Sequence, residues 1–454
     1  MSLLQREREA IVRNEYVDDF DFDEIEEFVK NADKRLFISH KYRHKTHLLA
    51  QPRGGFPTYE KMFELYREFQ KVDTDVFPLT IDSHTRLNDY ASAKKMLLLS
   101  EENEVDMLNG YPLINHGYRT TREMITHFNT PISLRHGTPD ARLLVEMALA
   151  SGIFEIEGGP ITYLLPYSKN FPLDKAFLYW KYVEKICAKY STLNEPINRE
   201  SFGALTATMV HPAITIVIQL AEMLLSMEEG VKSFSVSFAQ SGSLNQDIVT
   251  SNVIKALSRK YADKFGYKDT MINLVFHQWM GAFPYNKEFS ATLIDMSTFI
   301  ALLVGADKII TKTKEEALGI PTKEANAAAV ANTKYMIRVL QGLPKIKDEE
   351  EEEILTEEVE SIMEAIFNDP ADTLWRKVLN SIKKGIIDVP FSPHIINNNE
   401  VITVRDPSNA IRIIQRGNLP ISDRCFEYEK SKLKVGKDKK EVVDKIIKDI
   451  GIMQ

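Results

Sequence analysis

The chain reads as an α/β protein built on a (β/α)8 barrel, with an N-terminal helical extension and a C-terminal α+β appendage. Three observations carry this expectation. From residue 47 onward, apolar runs of strand length alternate with amphipathic stretches whose apolar residues recur every three to four positions, the mark of repeated strand–helix units and a parallel sheet. No glycine-rich G-x-G-x-x-G loop follows the first run, which weighs against the rival open, doubly wound sheet. Several early runs end on a charged residue, and in a barrel the C-terminal ends of the strands carry the chemistry.

Residues 1–46 are strongly charged, with an acidic cluster from Asp18 to Glu27 followed by Lys34 and Arg35, and form the expected peripheral helical extension. The barrel is expected over residues 47–343. Its candidate strands are His47–Arg53, Val76–Ile81, Tyr111–Asn115, Pro131–Arg135, Ile153–Glu157, Ser201–Thr206, Ser233–Phe238, Ile272–His277 and Lys308–Thr311. These are nine runs where a closed barrel takes eight, so one is misplaced or lies outside it. Leu173–Tyr190, Pro212–Glu228 and Ala291–Leu303 are clear intervening helices. Near Gly342-Leu343-Pro344 the pattern changes. Six consecutive acids, Asp348 to Glu353, open a long helical segment, and the chain ends in the lysine-rich Lys430–Lys448 stretch. A solvated helix and a charged tail are the simplest reading of these runs, and residues 344–454 are taken as an appended region.

At 454 residues the chain can bury a large core, and its formal net charge of −8 argues against a partner read through clustered Lys and Arg, so nucleic acid is set aside. The two cysteines, Cys187 and Cys425, lie far apart and lack metal-ligand spacing, so neither a disulfide framework nor a bound metal is expected. No apolar signal region opens the chain and no apolar stretch is of membrane-spanning length, so the expectation is a cytoplasmic protein without a membrane partner.

Arg53, Arg86 and Arg135 follow three of the early runs and Glu157 closes the next. If these runs are parallel strands of one barrel, the four side chains converge on one mouth. Arginine grips carboxylate through two parallel charge-assisted hydrogen bonds, so several guanidiniums around one carboxylate suit an acidic amino acid. Gly54 and Gly55 let the backbone near Arg53 approach a ligand. Asp140 is read as a cap for the helix beginning near Ala141. Tyr163 and Tyr167, flanked by Pro160 and Pro166, are poor candidates for a regular helix and good ones for phenols lining a cavity. His277 alone reads as a satisfied core or loop histidine. Lys312, after the last candidate strand, keeps a Schiff-base aldolase open as an alternative.

Together these residues resemble a known family. Gln51-Pro52-Arg53-x-Gly55, Thr80-Ile81-Asp82-x-x-Thr85-Arg86, Leu108-Asn109-Gly110, Arg135-His136-Gly137-Thr138-Pro139-Asp140, Glu157-Gly158-Gly159, Pro166-Tyr167-x-Lys169-Asn170, Val275 to Gly281 and Gly319 to Ala328 are similar, in order, to the epsilon subunits of glutamate mutase, also called methylaspartate mutase. The likeness runs from about residue 47 to 340 and continues more loosely through Val389-Pro390-Phe391 and Val404-Arg405-Asp406.

The resemblance implies a (β/α)8-barrel isomerase that uses adenosylcobalamin to interconvert L-glutamate and (2S,3S)-3-methylaspartate by a radical carbon-skeleton rearrangement, in glutamate degradation through methylaspartate and mesaconate. It implies that Arg53, Arg86 and Arg135 clamp the two substrate carboxylates. Glu157 then faces the ammonium and serves as a base, with His136, Tyr163 and Tyr167 completing the pocket. It assigns Gly55, Asn109, Pro166, Phe283, Lys312, Glu316 and Ile320 to the cofactor side, with Lys312 and Glu316 as partners of ribose hydroxyls. Asp82-Ser83-His84 begins like the D-x-H-x-x-G element of cobalamin carriers, but Leu87 stands where glycine is needed. The cofactor is therefore expected to be carried mainly by a small sigma subunit over the barrel mouth, in a heterotetramer with two copies of this chain. A non-catalytic, partner-binding paralogue is the alternative outside enzymes, and the retained like charges speak against it.

Overall fold

Eight short parallel strands, buried on both faces, form the centre of the computed structural model, which describes residues 2–17, 19–203, 209–433 and 439–453. They are β1 (Leu49–Gln51), β2 (Phe77–Thr80), β3 (Ile132–Arg135), β4 (Glu155–Glu157), β5 (Asn198–Glu200), β6 (Ser233–Ala239), β7 (Met271–His277) and β8 (Lys308–Ile310). Each pairs in parallel with its neighbour in sequence from β2 through β8, and β8 pairs with β1. Backbone hydrogen bonds from Val76 N to Ala50 O (3.4 Å) and from Thr80 N to Gly54 O (3.1 Å) close the circuit between β1 and β2. The architecture is a (β/α)8 barrel.

Two of the nine candidate strands need correction. Tyr111–Asn115 makes only an isolated bridge, Ile81 to Tyr111, and then turns into the short helix Leu113–His116, so it is the surplus run. The run at Ser201–Thr206 lies one step too late: β5 is Asn198-Arg199-Glu200, while residues 204–208 fall outside the described residues. An entirely polar strand has no apolar alternation to betray it.

Polar strand residues also fill the barrel interior, because alternate side chains point inward. Lys308 Nζ, fully buried, donates to Gln51 Oε1 (2.7 Å), to both oxygens of Glu155 (2.8 Å each) and to Glu200 Oε2 (2.7 Å). Asn198 bridges Glu155 Oε1 (2.9 Å) and Ser235 Oγ (3.0 Å). Below this layer Ile38 and Tyr42, on the helix Ile38–His44, pack against Leu49 and Val76 and plug the N-terminal end.

The N-terminal helices Leu3–Val12 and Phe22–Asn31 are more than a peripheral coat. Arg8 is fully buried and donates to Glu146 on the barrel helix Arg142–Ser151 (2.9 and 3.0 Å) and to Tyr190 Oη (2.5 Å). Beyond the barrel, the helix Glu349–Phe367 lies on the barrel helices Pro212–Glu228 and Leu244–Lys264. The hairpin of β9 (Val401–Arg405) and β10 (Ile411–Arg416) and the helices Leu374–Lys383, Asp423–Ser431 and Lys439–Ile450 complete this region. The acidic run opens the first of these helices, where Asp348 caps the N-terminus and negative charge suits the helix dipole. It is only partly solvated, since Glu351 is paired with Arg412 and Glu353 with Arg424. Among the described residues no helix is long and apolar enough to cross a membrane.

Replacing Lys308 by Met keeps the volume and removes the one cation held between Glu155 and Glu200. The expected loss is about 3–5 kcal/mol of stability, the usual result of stranding a buried charge. Urea midpoints of the two proteins measure it, and a loss below about 1 kcal/mol would contradict the role given to Lys308.

Candidate active site

Inward positions at the strand ends carry Arg135 on β3, Glu157 on β4, Glu200 on β5 and His277 on β7. Glu157 and Glu200 are register partners, and Arg135 is partnered by Thr80 at the end of β2. The guanidinium of Arg135 lies between the two carboxylates: Nη2 donates to Glu157 Oε1, and Nη1 reaches Glu200 Oε1 at 3.4 Å. Tyr163 Oη donates to the other oxygen of Glu157. The chain returns to that carboxylate through Gly158, whose φ of +103° is a glycine conformation and where a Cβ would lie 2.2 Å from the Tyr163 ring. The turn is held from outside by Arg199, which donates to Gly158 O (2.6 Å) and to both oxygens of Glu184 (2.9 Å each), and by Glu222, which accepts from Ile161 N (2.8 Å) and Thr162 N (2.9 Å).

A cavity of about 330 Å³ opens above this group, lined by Arg53, Arg86, Arg135, His136, Glu157, Tyr163 and Tyr167 together with Phe202, His277 and Met280. All seven residues expected around the substrate therefore face one space. They are not equivalent. Arg135 is committed to two carboxylates, whereas the Arg53 side chain has no hydrogen bond or ion pair among the described residues. Arg86, on the short helix Ser83–Arg86 that Asp82 caps, donates Nε to Ile81 O (2.6 Å), which leaves its two terminal nitrogens for the cavity. That capping also accounts for Asp82-Ser83-His84, since Asp82 accepts from His84 N and Thr85 N.

Burial shapes the protonation states. It pushes the Glu157 carboxyl above the usual range, aided by the like charge of Glu200 and opposed by Arg135. Burial acts the same way on Glu200, but Lys308 and Arg135 outweigh it and hold that carboxylate low. Burial, the positive charge of Arg199 and other nearby arginines bring His136 down to about 3. The imidazole is therefore neutral, with Nδ1 accepting from Thr138 N (3.0 Å). His277 is likewise neutral, held down by burial and Arg135. Contrary to the expectation of a satisfied histidine, neither of its ring nitrogens has a hydrogen-bond partner, and it lines the cavity. Glu157, Glu200 and His277 bring ligand atoms within 4.8 Å of one another, but the Arg135 guanidinium already fills the cation position between the carboxylates.

A second cavity of about 270 Å³ adjoins the first and shares Arg53, Thr80 and Arg86 with it. Gly55, Asn109, Glu316 and Ile320 line it, along with Phe56 and Asn326. At Gly55 a Cβ would sit 2.4 Å from Thr80 O, so only glycine fits that wall. Lys312 reaches it through Glu316 Oε2 (2.6 Å), and its Nζ lies 5.7 Å from the centre of the Phe283 ring. Burial, then Arg53, lowers the Lys312 ammonium to about 8. Pro166 is half-buried in the turn between Tyr163 and Tyr167 and lines neither cavity. Asp140 accepts from Arg142 N (3.3 Å) and pairs with the Arg142 side chain, next to the helix start rather than at its N-cap. Sequence reasoning missed Glu155, Arg199, Glu200, Phe202, Glu222 and Lys308. The signal for two of them was the polar triplet Asn198-Arg199-Glu200 between Ile197 and Gly203.

Fold and site define a (β/α)8 barrel whose C-terminal mouth holds a charged cavity, the place where barrel enzymes work. Residues 31–452 match the sequence model of the methylaspartate mutase E chain, and the chain belongs to that family. It is 37% identical over 422 residues to the glutamate mutase epsilon subunit of Desulfitobacterium hafniense, covering 91% of this chain and 87% of that one. The epsilon subunit of Treponema denticola is 36% identical over 87% of this chain and 82% of its own, and that of Haloarcula marismortui 35% over 85% and 79%. Solved barrels superpose distantly, as with the tryptophan synthase alpha chain of Legionella pneumophila, at a TM-score of 0.36 and 13% identity over 67% of this chain and 97% of that one.

The neutral His136 makes a pH-dependent prediction. Unfolded, it binds a proton near pH 6.5; folded, only near 3, so its contribution to stability is present above 6.5 and falls by about 1.4 kcal/mol per pH unit below it. His136→Gln removes this term. The destabilisation of the variant relative to the parent is expected to shrink by about 1.4 kcal/mol between pH 7.5 and 5.5 in urea titrations, and a constant difference would mean that folding leaves the proton affinity of His136 unchanged.

Proposed function

We propose that the chain is the catalytic epsilon subunit of a glutamate mutase, interconverting L-glutamate and (2S,3S)-3-methylaspartate. The observation that carries this reading is the pair of guanidiniums, Arg53 and Arg86, with no carboxylate partner among the described residues, set across one cavity from the Arg135–Glu157 pair. A ligand with two carboxylates and one ammonium matches that pattern group for group. Glu157, with Tyr163 on one oxygen and Arg135 on the other, takes the ammonium and moves a proton at its free lone pairs. The cavity walls of Phe202, Met280 and the two tyrosines limit water.

The second cavity fits a nucleoside, with polar partners at Asn109, Asn326 and the Lys312–Glu316 pair and an apolar face at Ile320 and Phe56. Adenosylcobalamin, when bound, supplies the carbon radical that starts a carbon-skeleton rearrangement. The work of this chain is positional: separate arginines keep each carboxylate-bearing part of a dividing substrate within bonding distance. The exposed Leu87, Tyr285, Leu318 and Ile320 follow β2, β7 and β8, with Phe289 in the first turn of the helix Lys287–Leu303, a surface suited to a cobalamin-carrying sigma partner.

One observation favours the Schiff-base reading, the lowered Lys312 ammonium. Against it, Lys312 is held by Glu316 and does not line the substrate cavity. Borohydride trapping of a substrate adduct at Lys312 would establish that chemistry, and an unmodified lysine removes it.

The purified chain, given adenosylcobalamin and a cognate sigma subunit, is expected to form methylaspartate from glutamate, read by coupled deamination to mesaconate. No product with any cognate partner overturns the proposal. Arg86→Lys keeps the charge and loses the two-pronged grip, at a cost of about 2–3 kcal/mol, so kcat/KM is expected to fall roughly 30- to 100-fold. Near-parental turnover would remove Arg86 from the clamp.

A further inference from the structure

Away from the barrel mouth, one group of ligating side chains is buried with its charge unbalanced. His211 is the N-cap of the helix Pro212–Glu228, Glu358 lies within the helix Glu349–Phe367, and Glu429 is on the helix Asp423–Ser431. All three are at most 2% exposed, and their ligand atoms lie within 4.8 Å of one another. His211 Nε2 is 3.2 Å from Glu429 Oε2, and His211 Nδ1 is 3.9 Å from Glu358 Oε2.

Glu429 is well served: Oε1 accepts from Arg412 Nη1 (3.1 Å) and Oε2 from Ile413 N (3.0 Å). Glu358 has nothing. Both of its oxygens are buried without a hydrogen-bond partner, in the wall that faces His211 and Glu429. Four carboxylates, Glu351, Glu358, Asp406 and Glu429, gather around one guanidinium, that of Arg412, which already bonds three of them. A buried carboxylate left in this state costs several kcal/mol unless it gains a proton or a cation.

We propose that His211, Glu358 and Glu429 ligate a divalent transition-metal ion, with zinc the expected occupant, that ties the barrel to the C-terminal region. One imidazole and two carboxylates suit zinc better than calcium or magnesium, which take oxygen ligands alone. His211 Nδ1 accepts from Ala213 N (3.3 Å), so without metal the ring proton sits on Nε2, 3.2 Å from Glu429 Oε2. Binding moves the single ring proton from Nε2 to Nδ1, at the cost of the bond from Ala213 N and of the Nε2–H bond to Glu429, and any proton carried by Glu358 passes to solvent. Ligand bonds of about 2.0–2.2 Å require Glu358 to swing toward the His211–Glu429 pair, while Arg412 stays on the outer oxygen of Glu429 and orients it. Since the three ligands come from three helices, the ion acts as a clasp, and its binding free energy stabilises the folded state.

The test is the metal content of the full chain, expressed with zinc in the medium, purified without a metal-affinity column and analysed by plasma mass spectrometry. About one zinc per chain is expected after gel filtration, with visible absorption bands when cobalt(II) replaces it. Glu358→Gln and His211→Gln are each expected to drop the content below about 0.2 per chain, and chelation to lower the melting temperature of the parent but not of the variants. Less than about 0.1 zinc or cobalt per parent chain after incubation with either ion overturns the proposal, whether or not the variants fold. So does metal content unchanged in both variants, which would place the ion elsewhere.

Discussion

The mouth of this barrel depends on one buried ammonium group. Lys308 sits fully enclosed between Glu155 and Glu200, and from Glu200 the charges alternate outward through Arg135 to Glu157. Each member is tolerable in a low-dielectric interior only because the next has the opposite sign. The ladder orients as well as neutralises. Glu200 fixes one edge of the Arg135 guanidinium, and the other edge, with Tyr163, fixes both oxygens of Glu157. The carboxylate that faces the cavity is therefore aimed before any ligand arrives, which is the condition for a site that stabilises charge without reorganising.

Above the ladder the balance is deliberately broken. Arg53 and Arg86 add two positive charges with no carboxylate partner among the described residues, and burial together with Arg53 makes Arg86 a less comfortable cation than an exposed arginine. In a structural role these charges would be costly, and evolution of stability alone would remove them. On the proposed reading, a dianionic ligand completes the set. The same imbalance explains why a binding scaffold without chemistry is the weaker reading. A scaffold gains nothing from like charges gathered at one cavity.

The parts of this design that are legible in the sequence are those where local pattern and burial agree. Seven barrel strands announce themselves as apolar runs, and Arg53, Arg86, Arg135 and Glu157 stand out because each interrupts or closes such a run. Strand β5 does not, because Asn198, Arg199 and Glu200 are polar on both faces: the inward pair joins the ladder and Arg199 holds the Gly158 turn. Their burial is produced by partners 15 to 108 positions away, which no local window contains. Tyr111–Asn115 misled for the converse reason. It is apolar because it packs in the core, yet Pro112 and the helical turn that follows keep it from forming a ladder. Lys308 was in plain view as the first residue of a strand, but a lysine inside a barrel becomes readable only once Glu155 and Glu200 are seen around it.

The shared wall between the two cavities gives the site a directional coupling. Arg53 faces both spaces, and its charge is the chief influence, after burial, that loosens the proton on Lys312. A carboxylate bound to Arg53 from the first cavity cancels much of that charge, so Lys312 is held more firmly as an ammonium and its pair with Glu316 tightens. Hydroxyl groups seated against that pair then meet a stronger donor and a more fixed acceptor. By linkage, a ligand that strengthens the Lys312–Glu316 pair from the second cavity favours a carboxylate on Arg53 in the first. On the proposed reading, one arginine thus links occupancy of the two cavities, which suits a reaction that begins only when both are filled.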